Sequence, residues 1–238
     1  MPSEPVLIRP AVGQFPAQHL LPSGREIGID VGLKVFLITA EGEAVENPRH
    51  YRKAEKALQK AQRRVSRRKK GSTRRKKAVA LLAKKHQTVK RQRTDFHHKT
   101  ALQLVRQYDT IYLEDLQVAN LSRRPKAKPD GNGGYLPNGA RAKAALNKSI
   151  QDAGWSSFRT ILEGKAAYAG RRIVAVPPAY TSQECSSCGE RVEKSLSVRT
   201  HVCPSCGLIL DRDENSARNI QWAGQALQGA AARATVLN

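Results

Sequence analysis

The chain has 238 residues, 39% of them hydrophobic, enough for one large or two small domains with a buried core. Forty-two Lys and Arg against twenty Asp and Glu leave a formal charge of +22, which suits a polyanion, nucleic acid first among them. No apolar run is long enough to span a membrane, so no membrane partner is expected.

Residues 1–24, with Pro2, Pro5, Pro10, Pro16 and Pro22, read as a poorly ordered, Pro-rich N-terminal arm; they lack the basic start and unbroken apolar core of a secretory leader. From Arg25 the text changes to Glu-Ile-Gly-Ile-Asp-Val-Gly-Leu, then Val35-Phe36-Leu37-Ile38 and Glu43-Ala44-Val45. Short β-branched runs punctuated by Gly predict strands joined by tight turns. Asp30 then sits inside the apolar first strand, between Gly28 and Gly32. An ionised carboxylate there is costly unless a cation compensates, although a lone Asp in a strand more often serves a turn or a salt bridge.

Residues 48–108 read as a helical hairpin. Ala54, Ala57, Leu58, Ala61 and Val65 recur at helical spacing, Gly71-Ser72-Thr73 breaks the pattern, and Ala78, Leu82, Val89, Phe96, Leu104 and Tyr108 resume it. Between Arg49 and Arg93 stand twenty Lys and Arg and one acid, Glu55, so +19 of the chain's +22 is localised here. Charge of one sign at this density repels itself unless phosphates neutralise it. The residues expected to meet nucleic acid are Arg52, Lys56, Arg63, Arg64, Arg67, Arg68, Lys69, Lys70, Arg74, Arg75, Lys76 and Lys77. Aromatics are sparse, which favours tracking of a duplex backbone over base stacking. His97 and His98 read as solvated helix residues.

Asp109 to Leu116 predicts a strand delivering Glu114 and Asp115 at its end, and strand alternation allows only one of them to share a site with Asp30. Residues 117–140, rich in Gly, Pro, Lys and Arg, read as a mobile surface loop and a candidate lid. Residues 141–170 are expected to be helical, with Trp155, Phe158 and Leu162 as a core stripe and Arg159 beside it. Arg171 to Val176 is a further strand, halted by Pro177-Pro178.

All four cysteines fall in residues 180–210, as Cys185-Ser-Ser-Cys188-Gly and Cys203-Pro-Ser-Cys206-Gly. Two Cys-x-x-Cys turns face to face supply four thiolates for a closed, tetrahedral and hence structural Zn²⁺ site, with Gly189 and Gly207 where each knuckle turns back. Two disulfides or a redox dithiol are the competing readings. Residues 211–238 hold Asp211 and Asp213 at the start of a final helix whose Ala217, Ile220 and Ala223 can pack inward; capping is the bland reading of both acids. If Asp30, Glu114 and one of these acids converge, they form an oxygen-rich cluster suited to two Mg²⁺ ions that clamp the attacking water and the leaving oxygen of a phosphodiester.

Gly28-Ile29-Asp30-Val31-Gly32, Leu113-Glu114-Asp115-Leu116, Gly154-Trp155-Ser156-Ser157-Phe158, the paired Cys-x-x-Cys and Asp211-Arg212-Asp213-Glu214-Asn215-Ser216-Ala217-Arg218-Asn219 resemble, in order, the RuvC-like nuclease half of the TnpB (OrfB) family of IS200/IS605-type insertion sequences, which is related to the Cas12 effectors. The resemblance covers about Arg25 to Gly224. It implies an α/β, ribonuclease H-like mixed sheet, with a core over 25–179 that carries the basic hairpin as an insertion, a zinc ribbon over 180–210 and a closing segment over 211–238. It also implies RNA-guided cleavage of DNA in a bacterial cytoplasm, nucleoid-associated when bound, with a guide RNA encoded by the element. On that match the catalytic acids fall on Asp30, Glu114 and Asp213, and Asp211 is a helper or cap. Family members usually carry a large N-terminal region that grips the guide; here only residues 1–24 precede the first catalytic strand. A non-cleaving nucleic-acid-binding remnant and an unguided nuclease acting on branched or single-stranded DNA are the alternative expectations. The acids themselves point to hydrolysis and not to strand transfer.

Overall fold

Ile27 and Ile29 are buried on one side of the first strand while Gly28 and Asp30 take the other, and this alternation organises the two layers that cover the sheet. The computed structural model describes residues 19–179, 181–195 and 197–236. Residues 1–18 of the expected arm, Tyr180 and Leu196 of the ribbon segment, and residues 237–238 lie outside the described residues.

Strands β1 (Glu26–Val31), β2 (Val35–Thr39) and β3 (Ala44–Glu46) form an antiparallel meander, followed by helices α1 (His50–Ser66) and α2 (Thr73–Gln107). Strand β4 (Thr110–Glu114), the one-turn α3 (Val118–Leu121), helices α4 (Ala140–Ala153) and α5 (Trp155–Ala169), and strand β5 (Arg172–Val176) come next. The two-stranded ribbon of β6 (Thr200–Val202) and β7 (Ile209–Asp211) leads into α6 (Arg212–Val236). The main sheet has the order β3-β2-β1-β4-β5, with β1, β4 and β5 parallel. Parallel neighbours need crossovers, and the hairpin and the α4–α5 pair supply them.

On one face, Ile27, Ile29, Ile111 and Leu113 pack with Phe36 against Ala101, Leu104 and Val105 of α2 and Phe158, Leu162 and Ala166 of α5. The other face carries α6, with Ile220 against Tyr112 and Val176. A Cβ on Gly28 would lie 2.1 Å from the Ala217 carbonyl oxygen, and one on Gly224 would lie 2.0 Å from the Tyr112 ring. These two glycines let the helix approach the sheet closely enough to put its first turn beside the carboxyl ends of β1 and β4.

The hairpin forms as its periodicity predicts. Leu58, Ala61 and Val65 of α1 and Ala78 and Val89 of α2 are buried, Gly71 turns with φ 82°, and the Ser72 hydroxyl accepts from the Arg75 amide at 3.2 Å to cap α2.

One expectation is resolved further and one is corrected. The helical stretch expected over 141–170 is present as two helices, because Gly154 adopts φ 67° and ends α4 while starting α5. A side chain at Gly154 would meet the His97 ring at 3.1 Å, so the break is where α2 crosses. His97 is not solvated: it is 1% exposed, stacks 5.4 Å from Phe36, and its Nε2 lies 2.9 Å from the Ala153 carbonyl. Desolvation brings its pKa down to about 4, so it is neutral at pH 7. Position 97 continues the inward stripe of Ala101, Leu104 and Val105, whereas His98 is exposed as expected. The loop over 117–140 contains α3 and a bridge between Pro129 and Tyr135.

Candidate metal centres

Strand pairing brings the first two candidate acids together. The parallel register pairs Glu26 with Thr110 and Ile29 with Leu113, and one further step sets Asp30 opposite Glu114, both on the α6 face. Glu114 is in turn paired with Val176 of β5, so it stands on the middle strand of the parallel three. Asp115 takes the other face and pairs with Arg159 of α5 at 2.5 Å, while Arg159 also donates to Glu163 at 2.8 Å. Alternation thus separates the two adjacent acids, as the strand reading requires.

The third candidate arrives on α6. Asp211 accepts from the Asp213 and Glu214 amides at 2.8 and 3.4 Å and thereby caps the helix, leaving Asp213 in its first turn. Ser216, one turn on, is 2% exposed and hydrogen-bonds through its hydroxyl to Asp30.

Both other acids act on Asp30. The Asp30 carboxyl is held well above the usual carboxylate range, first by desolvation and then by repulsion from Glu114 and Asp213; Ser216 and Arg212 oppose the shift. Glu114 is raised by desolvation and partly restored by the Thr181 hydroxyl, which donates to its Oε1. Asp213 instead lies between two cations, Arg212 at 3.0 Å and Arg199 at 3.4 Å. The three acids share one side of the sheet without collapsing onto one another: among the described residues, only the four cysteines have ligand atoms all within 4.8 Å.

Those four are Cys185, Cys188, Cys203 and Cys206, none of them in a disulfide. The Cys185–Cys206 and Cys188–Cys203 sulfurs are 3.6 and 3.5 Å apart. A tetrahedron with metal–sulfur bonds of about 2.3 Å has edges of roughly 3.8 Å, so the set fits one Zn²⁺. Each knuckle closes in the same way. Gly189, at φ 78°, donates to the Cys185 carbonyl at 2.9 Å, and Gly207, at φ 74°, donates to that of Cys203 at 3.0 Å.

Sequence reasoning missed what joins this knuckle to the acids. Asn215, 0% exposed, accepts from the Ser186 amide at 2.9 Å and donates to the Glu184 carbonyl at 2.7 Å. Asn219 donates to the Thr181 and Glu184 carbonyls, each at 2.8 Å. Two asparagines four residues apart on α6 therefore hold the ribbon; their i, i+4 spacing just after Asp213 was the readable signal. Thr181 was missed as well, and nothing local marks it.

Of the basic residues expected to meet nucleic acid, Lys56, Arg63, Arg64, Arg67 and Arg68 line a groove of about 960 Å³ between α1 and α2. Lys69, Lys70, Arg74, Lys76 and Lys77 are exposed at the hairpin tip. Two are engaged internally. Arg75 donates to the Val65 and Arg68 carbonyls at the end of α1, and Arg52 turns to Glu55, Ala145 and Ser149.

Residues 9–124 match the OrfB_IS605 family, described as "Probable transposase", and residues 155–220 match the Cas12f1-like TNB domain. A protein of Streptomyces pristinaespiralis is 40% identical over 202 residues, covering 84% of this chain and 45% of its own length. InsQ of Escherichia coli K12 is 34% identical over 207 residues, covering 87% and 50%. Both carry the name "Putative RNA-guided DNA endonuclease", and the chain spans about half the length of each. The CRISPR-associated DNA-binding protein Cas12m of Allomeiothermus silvanus is 30% identical over 139 residues, covering 58% and 24%. A Cas12f ternary complex shares the fold, with a TM-score of 0.56 at 21% identity over 86% of this chain and 39% of that one. So does a Cas12f1–sgRNA–target DNA complex, with a TM-score of 0.54 at 19% identity over 82% and 49%.

Proposed function

The chain belongs to the TnpB (OrfB) family, related to the Cas12 effectors, and from that premise we propose that it is a metal-dependent DNA endonuclease of the RNA-guided type. The observation that carries the reading is the register that puts Asp30 and Glu114 side by side on one sheet face, with Asp213 delivered to the same face by α6. A mixed sheet whose acidic face is covered by the final helix supports the ribonuclease H-like (RuvC) assignment.

The chemistry of the donor set, three carboxylates on one face, supports a site for divalent cations. Asp30 and Glu114 are carboxylates in a desolvated setting that leaves both reluctant to ionise, and Asp30 is further strained by the two other acids. Asp30, Glu114 and Asp213 would hold two Mg²⁺, which when bound supply a water activated for attack and charge stabilisation at the leaving oxygen. The protein's own part is placement. Ser216 orients Asp30, Thr181 orients Glu114, and the Asp211 cap fixes the turn from which Asp213 projects. Arg199 and Arg212 neutralise Asp213 in the absence of a cation and stand where substrate phosphate would otherwise meet only acids.

The four cysteines would hold one structural Zn²⁺. Target DNA and a guide RNA encoded by the element are the proposed partners. The names of the relatives, the guide and DNA in the Cas12f1 complex, and the charge of +19 on the hairpin support them.

A second reading, DNA binding without cleavage, draws on the ion pairs that occupy Asp213 and on the relative named as a DNA-binding protein. One experiment separates the two. Protein purified with its bound RNA is assayed on matching DNA with Mg²⁺, alongside Asp30→Asn. Cleavage that falls at least about a thousandfold in the variant while DNA binding persists supports the nuclease. Binding without cleavage by the unaltered chain supports the second reading, and cleavage unimpaired in Asp30→Asn removes the proposed site.

A further inference from the structure

The geometry points to a phosphate-binding pocket for a single nucleic-acid strand, built by Lys34, Arg49, Arg52 and Arg199 beside the acidic face. The pocket, of about 510 Å³, is walled by Leu33 and Lys34 of the β1–β2 turn, Asn47 and Arg49 ahead of α1, Arg52 on α1, Ser149 and Asp152 on α4, and Arg199 of the ribbon. That volume is within the roughly 300–1,000 Å³ of pockets that take small ligands, room for a phosphate and the sugars beside it. Four cations from three separate stretches of chain converge on it.

Their charge has little internal answer. Asp152 is the pocket's acid, and its two oxygens already accept from the Tyr51 and Arg52 amides at 2.8 and 3.1 Å. Among the described acids, Arg199 pairs with Asp213 at 3.4 Å and Arg52 with Glu55 at 3.5 Å, both long for an ion pair; Arg52 also donates to the Ala145 carbonyl and the Ser149 hydroxyl, neutral groups that leave its charge uncompensated. Among the described residues Lys34 and Arg49 have no ion pair at all. Convergent, weakly neutralised cations around a cavity are a site for an anion.

The walls are held in place for it. The Asn47 side chain donates to the Leu33 carbonyl at 3.1 Å and accepts from the Arg49 amide at 3.1 Å, which ties the Lys34 turn to the Arg49 backbone. Arg49 is the described non-glycine residue with positive φ, at 49°. A left-handed arginine persists where the surroundings enforce it, and such positions cluster at ligand sites.

A strand's backbone is favoured over a free anion by continuity. The pocket opens at the start of α1, whose later residues Lys56, Arg63 and Arg64, with Arg67 and Arg68 just past its end, line the basic groove toward the hairpin tip, some 25 Å of helix in all. At its other side, Arg199 is shared with Asp213. A phosphate in the pocket would draw Arg199 toward itself and leave Asp213 paired with Arg212 alone. That the strand held here is the one to be cut rests on the nuclease reading; binding itself does not.

The test measures affinity of the full chain for a short labelled single-stranded DNA across a salt series in EDTA, where no cleavage enters. The variants are Arg49→Gly, which keeps the left-handed backbone without strain, and Arg49→Gly combined with Lys34→Ala. Arg106→Ala, at the far end of α2, is the control. Removing one phosphate-binding cation should flatten the slope of log K against log salt by about 0.7, so by about 1.4 in the double variant, with Arg49→Lys restoring its share. A double variant whose slope matches the Arg106→Ala control overturns the pocket. Flattened slopes in a chain that does not cleave would uphold the pocket and count against the nuclease reading instead.

Discussion

Gly28→Ala tests the close approach of α6 on which the acidic site depends. The added Cβ would meet the Ala217 carbonyl oxygen at 2.1 Å and the Gln221 Cβ and amide nitrogen at 2.8 Å. Two of these are backbone atoms of a helix, so no rotamer change relieves them, and the helix must lift by roughly 1.3 Å to restore ordinary contact near 3.4 Å. Lifting also breaks the 3.0 Å bond from the Gly28 amide to Gln221 and loosens Ile220 from Tyr112 and Val176. Overpacking of a core costs about 1–3 kcal/mol, and a backbone obstacle places this change at about 3 kcal/mol. For a chain of this size that lowers Tm by about 6–12 °C in a thermal melt. Because Ser216 and Asp213 ride on the same helix, cleavage should fall at temperatures where the variant is still folded. Gly164→Ala is the counterpart: it sits within α5 with nothing within 4 Å and should stabilise by up to about 1 kcal/mol. A Gly28→Ala protein that melts with the parent, or a Gly164→Ala protein that is equally damaged, would refute the packing account.

Three further outcomes follow from the same geometry. Asp30 has a native pKa above its unfolded one, so the native state binds the proton more tightly and stability falls as pH rises through the window from the usual carboxylate range to the raised value. Asp30→Asn should therefore melt higher than the parent near pH 7 in EDTA, by about 1–2 kcal/mol, with a flatter pH dependence and a smaller rise on adding Mg²⁺; an unchanged or lower Tm contradicts the strain. Cys203→Ser should take the metal content from roughly one zinc per chain to none and expose residues 181–210 to protease; full zinc with wild-type digestion would remove the knuckle. Asp211→Ala should cost about 1 kcal/mol, read as a urea midpoint shift, with Asp211→Asn largely restoring it, because the loss is of a helix cap and not of a metal ligand.

How much was legible depended on range along the chain. The knuckle was readable because its ligands are spaced by local turns, and the hairpin because a periodicity of three and four shows within a single element. The Asp30–Glu114 pairing joins strands 84 positions apart, and only the ordered set of motifs suggested it; a one-step slip between the strands would have put the two acids on opposite faces. Alternation did separate Glu114 from Asp115. His97 was misread because its burial is decided by where α2 crosses α5, a tertiary fact that helical periodicity does not carry, and the same crossing sets the break at Gly154. The basic run was legible as charge but not as geometry, since Arg75 caps α1 from across the turn while Lys34 and Arg199, outside the run, complete a pocket with it.

The ribbon is more than a stabilising appendage, and the reason is connectivity. It leaves the sheet at the end of β5 and returns directly into α6, so the last residue of β7, Asp211, is also the cap of the helix that carries Asp213. Asn215 and Asn219 bind its knuckle from below, Thr181 at its entrance holds Glu114, and Arg199 on its far edge holds Asp213. Two of the three acids thus take their bearings from a segment too small to fold on a core of its own, which is the situation in which a metal fixes structure. On the proposed reading, a metal at the thiolate site would steady the segment from which Glu114 and Asp213 are oriented. Asp30 sits on the sheet, and of the trio it alone is reached from the ribbon only indirectly, through Ser216 on α6.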